Sequence, residues 1–271
     1  MNRIVCVTGA SQGVGYETAV AFAAAGDTVI ATSRDAATAH PVLAPHGIEV
    51  HGLDVTDQDS VDALRAFVEQ RYGRLDVLVN NAGRGFQGTL EQLSMDDLGD
   101  SLAVNFLGAA RVTKAFLPMM RTARSGHIIA ISSIGGAIGQ PFRDAYCAAK
   151  FALEGLYESL QPVAAQFGVR VCLVEPGKID SDHDARALHL TPVDDEELGR
   201  IEQRYETAAS TARPRPPTET AQVVLACADD PQATLRHQTC KLSSRLVAMK
   251  LADADGSVIT AMTGSWLAPT P

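Results

Sequence analysis

Tyr146 and Lys150 lie four residues apart in Asp144–Phe167, a stretch that reads as a helix, so they share one face of it. A free tyrosine titrates near about 10, too high for a base at neutral pH. A neighbouring ammonium favours the phenolate and lowers that value. Such a pair can move a proton to or from an oxygen. Tyrosine–lysine pairs at this spacing also occur on ordinary helices, so the pair alone assigns nothing. A second candidate is the run Thr8-Gly9-Ala10-Ser11-Gln12-Gly13-Val14-Gly15. Glycines there let the backbone turn tightly and approach a pyrophosphate, while the helix that follows offers free N–H groups and the positive end of its dipole. The spacing G-x-x-x-G-x-G differs from the usual dinucleotide fingerprint, and a plain strand–helix turn could use the same residues.

The elements that must position these groups alternate in type. Arg3–Thr8, Thr28–Ser33, Ile48–Leu53, Leu75–Asn80, His127–Ser132 and Val169–Glu175 read as six strands. Tyr16–Ala25, Asp57–Arg71, Ser94–Arg124 and Asp144–Phe167 read as the helices between them. Several strands are continuously apolar, as expected when helices cover both faces of a parallel sheet. The pattern predicts an α/β fold: a three-layer, doubly wound parallel sheet of the Rossmann type with about seven strands. Leu235–Leu242 is the candidate seventh strand and Thr218–Ala228 a further helix. Gly26, Gly47, Gly73 and Gly168 stand where a left-handed residue commonly ends a helix. Residues 1–271 are expected to form one domain, with 178–217 as a segment over the substrate.

With these elements in place, the chain resembles the classical short-chain dehydrogenase/reductase family. The resemblance rests on five short motifs in order. They are the glycine run at the N-terminus, Asn80-Asn81-Ala82-Gly83 after the fourth strand, Ser133 thirteen residues before Tyr146, the Tyr146–Lys150 pair, and Pro176-Gly177 after the sixth strand. It covers about residues 1–180 well and the remainder loosely. It implies that Tyr146 is the general acid/base, that Ser133 holds the substrate oxygen, and that Lys150 also binds the nicotinamide ribose. Asn105 falls where the family carries a fourth catalytic residue, anchoring a water-linked relay to Lys150. The resemblance extends cofactor contacts to Gly9, Ser11, Gln12, Gly13, Val14, Gly15, Asn81, Ala82, Gly83, Pro176, Gly177, Ile179 and Ser181. Asp54 and Val55, after the third strand, would lie against the adenine, and Asp54 could at the same time serve an N-cap or turn in Asp54-Val55-Thr56-Asp57.

The tip of the second strand separates NAD from NADP. An acid there accepts hydrogen bonds from the adenosine ribose, whereas a base pairs with a 2′-phosphate. The segment reads Ala31-Thr32-Ser33-Arg34-Asp35. Asp35 stands about 20 residues beyond Gly15, the spacing of an NAD acid. The strand is expected to end at Ser33, however, and Arg34 then follows the NADP pattern. NADP(H) is the favoured cofactor and NAD(H) the alternative.

Substrate should lie under Lys178–Pro217, beyond the carboxyl end of the sixth strand. The acids Asp180, Asp182, Asp184, Asp194, Asp195, Glu196 and Glu197 there read as a solvated face. Ala185, Ala187, Leu188 and Leu190 could face a hydrophobic substrate. Relatives with this motif order include hydroxysteroid, retinol, carbonyl and polyketide reductases, so the resemblance implies an oxidoreductase acting on a ketone, aldehyde or matching alcohol. A non-redox cyclase, isomerase or dehydratase on the same scaffold is the alternative, and a non-catalytic cofactor sensor is weaker because Tyr146 and Lys150 are both kept. A homodimer or homotetramer is implied as well. Pro162, inside the predicted catalytic helix, is expected to kink it and places the tetramer in question.

Composition narrows the setting. The chain has 271 residues, 46% of them hydrophobic, and a net charge of −9. That acidic balance disfavours nucleic-acid and anionic-membrane partners, which need a basic surface. No apolar run is long enough to span a membrane, and the first residues lack a signal-peptide pattern. The five cysteines, Cys6, Cys147, Cys172, Cys227 and Cys240, include no C-x-x-C pair. They read as reduced, mostly buried thiols of a cytoplasmic protein, with no metal site indicated by spacing.

Overall fold

The computed structural model describes residues 2–180, 187–189 and 195–268. Seven strands form one parallel sheet: β1 (Ile4–Val7), β2 (Thr28–Ser33), β3 (Glu49–Gly52), β4 (Val77–Asn80), β5 (Gly126–Ile131), β6 (Val169–Glu175) and β7 (Arg236–Gln238). Their spatial order is β3-β2-β1-β4-β5-β6-β7. Register runs Ile30 to Cys6 to Leu78 to Ile128 across the middle, and Ile129 to Cys172 beyond it. The chain winds outward from β1 to β3, then crosses back to start β4 on the other side of β1. At that reversal the connections leave in opposite directions and open a crevice at the carboxyl ends of the strands.

Strand periodicity of two divides the core. Cys6, Ile30, Leu78, Ile128 and Leu173 face one layer, against α3 (Gln58–Tyr72), α5 (Gly108–Ala123) and α6 (Asp144–Ala165). Val7, Val29, Val79, Ile129 and Val174 face the other, against α1 (Gly13–Ala24), α2 (Ala36–Leu43) and α8 (Pro217–Asp229). The sheet is therefore covered on both sides, as the continuously apolar strands require.

Several boundaries differ from the sequence reading. The long helix expected over Ser94–Arg124 is α4 (Met95–Leu102), a π-helical turn (Ala103–Leu107) and α5. Ser94 caps α4 by accepting from the Asp97 N–H while its own N–H donates to the Asp97 carboxylate. The π turn is a feature that amphipathic spacing does not reveal. Strand β7 stops at Gln238 and α9 (Lys241–Ala252) begins three residues on, so the expected Leu235–Leu242 strand is shortened. Cys240 extends as the N-cap of α9 and ends the ladder. Four helices lie outside the sequence reading: α2, α7 (Glu196–Ser210), α9 and α10 (Ser257–Ser265). Helix α6 runs unbroken past Pro162, because that proline lies in the last turn and the carbonyl it leaves unpaired belongs to exposed Glu158. Gly73 ends α3 at φ +69°, the left-handed cap expected of it.

Candidate active site

The glycine loop leaves β1 at Thr8 and enters α1 at Gly13. Gly9 has φ +65°, and a Cβ there would come within 2.8 Å of the Ala82 backbone. A Cβ on Gly15 would collide with the Asn81 amide and the Gly9 carbonyl. Asn81 holds the loop from across the switch point: its Nδ2 donates to the carbonyls of Thr8 and Gly9, both at 2.9 Å. Thr8 Oγ1 in turn accepts from the N–H groups of Asn81 and Ala82, both at 3.0 Å. The two candidate segments, far apart in sequence, thus form one locked unit. Gln12 is the N-cap of α1 but its side chain caps nothing. The first-turn N–H groups of α1 stay available to an anion.

Strand β2 ends at Ser33 and places Arg34 beside the mouth of this cradle. Asp35 is the N-cap of α2 and accepts from the Thr38 N–H at 3.1 Å. The Thr38 hydroxyl and N–H hold the Asp35 carboxyl below its usual range. Asp54 behaves similarly: it accepts from the Thr56 hydroxyl at 2.7 Å and the Thr56 N–H at 2.8 Å. Those bonds, with lesser help from Arg34, lower its pKa. The turn role foreseen for Asp54 is real, and the residue still lines the cleft.

Helix α6 presents Tyr146, Lys150 and Glu154 along one buried line. Lys150 is only 5% exposed, and its Nζ donates to the Ile131 carbonyl at 2.8 Å. The Nζ lies 5.7 Å from the centre of the Tyr146 ring. Burial pushes the Lys150 ammonium down to about 8, opposed by the negative charge of Glu154. Lys150 therefore remains mainly a cation at neutral pH. Burial likewise raises Glu154 to about 7, opposed by the Ser132 hydroxyl; Glu175 adds to the rise and Arg236 counters it. Arg236 donates to Glu154 at 3.0 Å and to Glu158 at 2.6 Å, tying β7 to α6 directly behind the candidate pair.

Ser133 starts the 3₁₀ turn Ile134–Gly136, its Oγ accepting from the Gly135 N–H at 3.0 Å. It leaves β5 one residue beyond buried Ser132 and faces the same cleft as Tyr146. Asn105 sits in the π turn and is buried. Its Oδ1 accepts from the Arg84 N–H and its Nδ2 donates to the Arg84 carbonyl, both at 2.9 Å. A Cβ on Gly83 would meet Asn105 Oδ1 at 2.8 Å and Lys150 Nζ at 3.9 Å. Asn105 and Lys150 thus both border the space into which a side chain at Gly83 would project.

Apart from Asn105, every described candidate for catalysis or cofactor contact lines one cleft of roughly 1780 Å³. Ala187, expected to face substrate, is not among its lining residues, and of Leu188 only the backbone is described. Ser181 lies outside the described residues, as do Asp182, Asp184, Ala185, Leu190 and Asp194. Ile179 borders the cleft, and its backbone segment pairs with Arg215. Part of the remaining lining comes from elements that the sequence reading missed. Tyr205 of α7 packs on Phe142 with ring centres 5.6 Å apart. Leu242, Leu246 and Met249 of α9, Met262 of α10 and Trp266 form an apolar wall. Ile134, Ile138, Val247 and Ile259 anchor that wall to the candidate serine turn. The spacing Leu242, Leu246, Met249 is helical and was a usable signal.

The comparisons with known proteins meet this geometry. The family model for short chain dehydrogenase matches residues 3–189. The chain belongs to the short-chain dehydrogenase family. Estradiol 17-beta-dehydrogenase 1 of Rattus norvegicus is 38% identical, covering 94% of this chain and 79% of that protein. Retinol dehydrogenase 8 of Homo sapiens is 34% identical, covering 96% and 89%. A short-chain dehydrogenase from Streptomyces avermitilis is similar in structure, with a TM-score of 0.83, 33% identity and 97% of each chain covered. An alcohol dehydrogenase from Thermococcus sibiricus, complexed with 5-hydroxy-NADP, has a TM-score of 0.71 and 27% identity, covering 88% and 95%. As a short-chain dehydrogenase the chain is an oxidoreductase that uses a nicotinamide cofactor. The locked glycine cradle, the open N-terminus of α1 and the buried lysine fit such a group. Among the described residues, no helix is long and apolar enough to cross a membrane.

Proposed function

We propose that the chain is an NADP(H)-dependent reductase of a ketone or aldehyde on a hydrophobic small molecule, or oxidises the matching alcohol. The observation that carries this reading is the cleft itself: Tyr146 and Lys150 line it together with the apolar wall of α9, α10 and Trp266. The steroid and retinol named in two relatives support a large apolar substrate. The cofactor supplies or accepts the hydride.

In this reading Tyr146 gives its phenolic proton to the carbonyl oxygen during reduction and takes one from the alcohol during oxidation. Ser133 donates a hydrogen bond to the same oxygen and orients it. Lys150, charged and desolvated, stabilises the phenolate that proton transfer leaves behind. Its bond to the Ile131 carbonyl holds the ammonium in place. Asn105 fixes the strand-end loop at Arg84 and, in this reading, anchors a water-linked relay to Lys150. Arg34 supports NADP(H) over NAD(H), because Asp35, the acid that could have accepted the ribose, already caps α2. We take residues 1–271 as one Rossmann-type domain in which 178–217 covers substrate. We further place the enzyme in the cytoplasm as a homodimer or homotetramer. Exposed apolar side chains Leu107, Phe151 and Val163 on the outer helical faces support self-association.

The test is NADPH absorbance with a panel of hydrophobic ketones and aldehydes. Turnover is expected for part of the panel, and Tyr146→Phe should lower kcat/KM about a thousandfold while leaving NADPH affinity intact. Product formation without cofactor oxidation, or a Tyr146→Phe variant as active as the parent, would sink the reading.

A further inference from the structure

The layer of the sheet that faces α1 and α8 carries a second cluster, away from the cleft. His127 of β5, Cys172 of β6 and Cys227 of α8 converge there, with ligand atoms all within 4.8 Å of one another. His127 Nε2 and Cys172 Sγ are 3.0 Å apart. The His237 imidazole, on edge strand β7, lies against the same Cys172 thiol. None of the four lines the cleft. All five cysteines are free thiols, so Cys172 and Cys227 face each other unlinked.

Two physical facts distinguish this cluster from ordinary buried cysteines. His127 is 1% exposed, yet its Nδ1 has no hydrogen-bond partner among the described residues and its Nε2 contacts only sulfur. A buried imidazole satisfied so poorly is costly unless something else binds it. In addition, the four side chains form a Cys₂His₂ set, the composition of a closed structural zinc site.

We propose that His127, Cys172, Cys227 and His237 form a structural site for a zinc ion. Two thiolates, two neutral imidazoles and one divalent cation sum to zero charge, which suits a buried position. Tetrahedral zinc places nitrogen and sulfur ligands about 3.5 Å apart and two sulfurs about 3.8 Å apart. His127 Nε2 and Cys172 Sγ, at 3.0 Å, stand closer than that, and the Cys227 sulfur lies within 4.8 Å of the Cys172 sulfur and a His127 ring nitrogen. Side-chain adjustments bring these three to ligand spacing, while the His237 imidazole must turn its Nε2 from the Thr234 carbonyl, 2.8 Å away, to complete the shell. Both thiol protons leave to solvent on binding, including the one Cys172 now gives to the Thr234 carbonyl at 3.2 Å. Thiolate ligands disfavour magnesium and calcium. Half-buried His237 on the edge strand provides both the fourth ligand and the way in. The ion would pin β5, β6 and β7 to α8, tying the sheet's far edge to the layer behind it. Sequence spacing concealed the set because its members come from four separate elements.

The test uses the full chain, purified under reducing conditions without chelator. One equivalent of zinc per chain is expected by elemental analysis, and its removal should lower Tm by about 5 °C or more. Cobalt(II) added to the metal-free protein should give sulfur-to-cobalt charge-transfer absorption. Cys227→Ser should abolish that band, whereas Cys240→Ser should retain it. Should Cys227→Ser not fold, His237→Ala serves instead, weakening cobalt binding about tenfold or more. The proposal is overturned by an absent charge-transfer band in the parent protein, by a band unaltered in both Cys227→Ser and His237→Ala, or by a Cys172–Cys227 disulfide in protein isolated with thiols blocked.

Discussion

The two halves of the cleft are built on different terms. The cofactor half is made of backbone: Gly9 and Gly15 approach Asn81 and Ala82 so closely that no side chain fits between them. The half proposed to hold substrate is made of side chains, Leu246, Met249, Met262 and Trp266, from α9, α10 and the turn after it. A backbone cradle tolerates few residues and therefore leaves a readable motif. An apolar wall can be assembled from many combinations of side chains, so it leaves only periodicity. The difference explains why a nicotinamide cofactor follows from a handful of glycines while the substrate is described only by its apolarity.

Three substitutions would break or sharpen this contrast. The largest effect is expected from Gly15→Ala, because the added methyl collides with Asn81 and the Gly9 carbonyl. Overpacking of this kind costs about 1–3 kcal/mol. NADPH affinity measured by fluorescence titration should fall by up to about a hundredfold, with Tm lowered as well. Unchanged affinity would mean the cradle is less rigid than its contacts imply. Arg34→Asp comes next. Losing a charge-assisted bond to a 2′-phosphate should raise the KM for NADPH about tenfold or more, while the KM for NADH holds or falls. Parallel changes for both cofactors would count against Arg34 as the discriminator. The smallest effect is expected from Trp266→Ala: a severalfold rise in KM for a bulky ketone, with the KM for NADPH unaltered. A shift in the NADPH value instead would show that the two halves are not separable.

Much of the fold was legible in the residues. Thr28–Ser33 and Val169–Glu175 are strands over the ranges read from their apolar runs. The sheet's outer parts were less so. Helix α2 contains Pro41 and no long apolar stripe, so only its Asp35 cap announces it. The acidic run that opens α7 reads as a solvated face, and Glu196 and Glu197 are indeed exposed in its first turn. What that view missed is buried Tyr205 on the opposite side of the same helix. Asn105 was placed in a helix, but the π turn that aims it at Arg84 is a local widening for which residue types carry no mark.

By itself the sequence determined the alternation of strands and helices, the glycine positions where any Cβ would clash, and the four-residue spacing that sets Tyr146 beside Lys150. These are local properties of a chain with fixed periods of two and 3.6 residues. Only the tertiary structure decided what lies behind and across from them. It placed Glu154, Glu175 and Arg236 at the back of Lys150, assigned Asp35 to a helix cap, and closed the cleft with α9 and α10. It also gathered His127, Cys172, Cys227 and His237 from positions as many as 110 residues apart. Burial and charge environment arise from packing between distant segments, and no spacing along the chain encodes that distance in space.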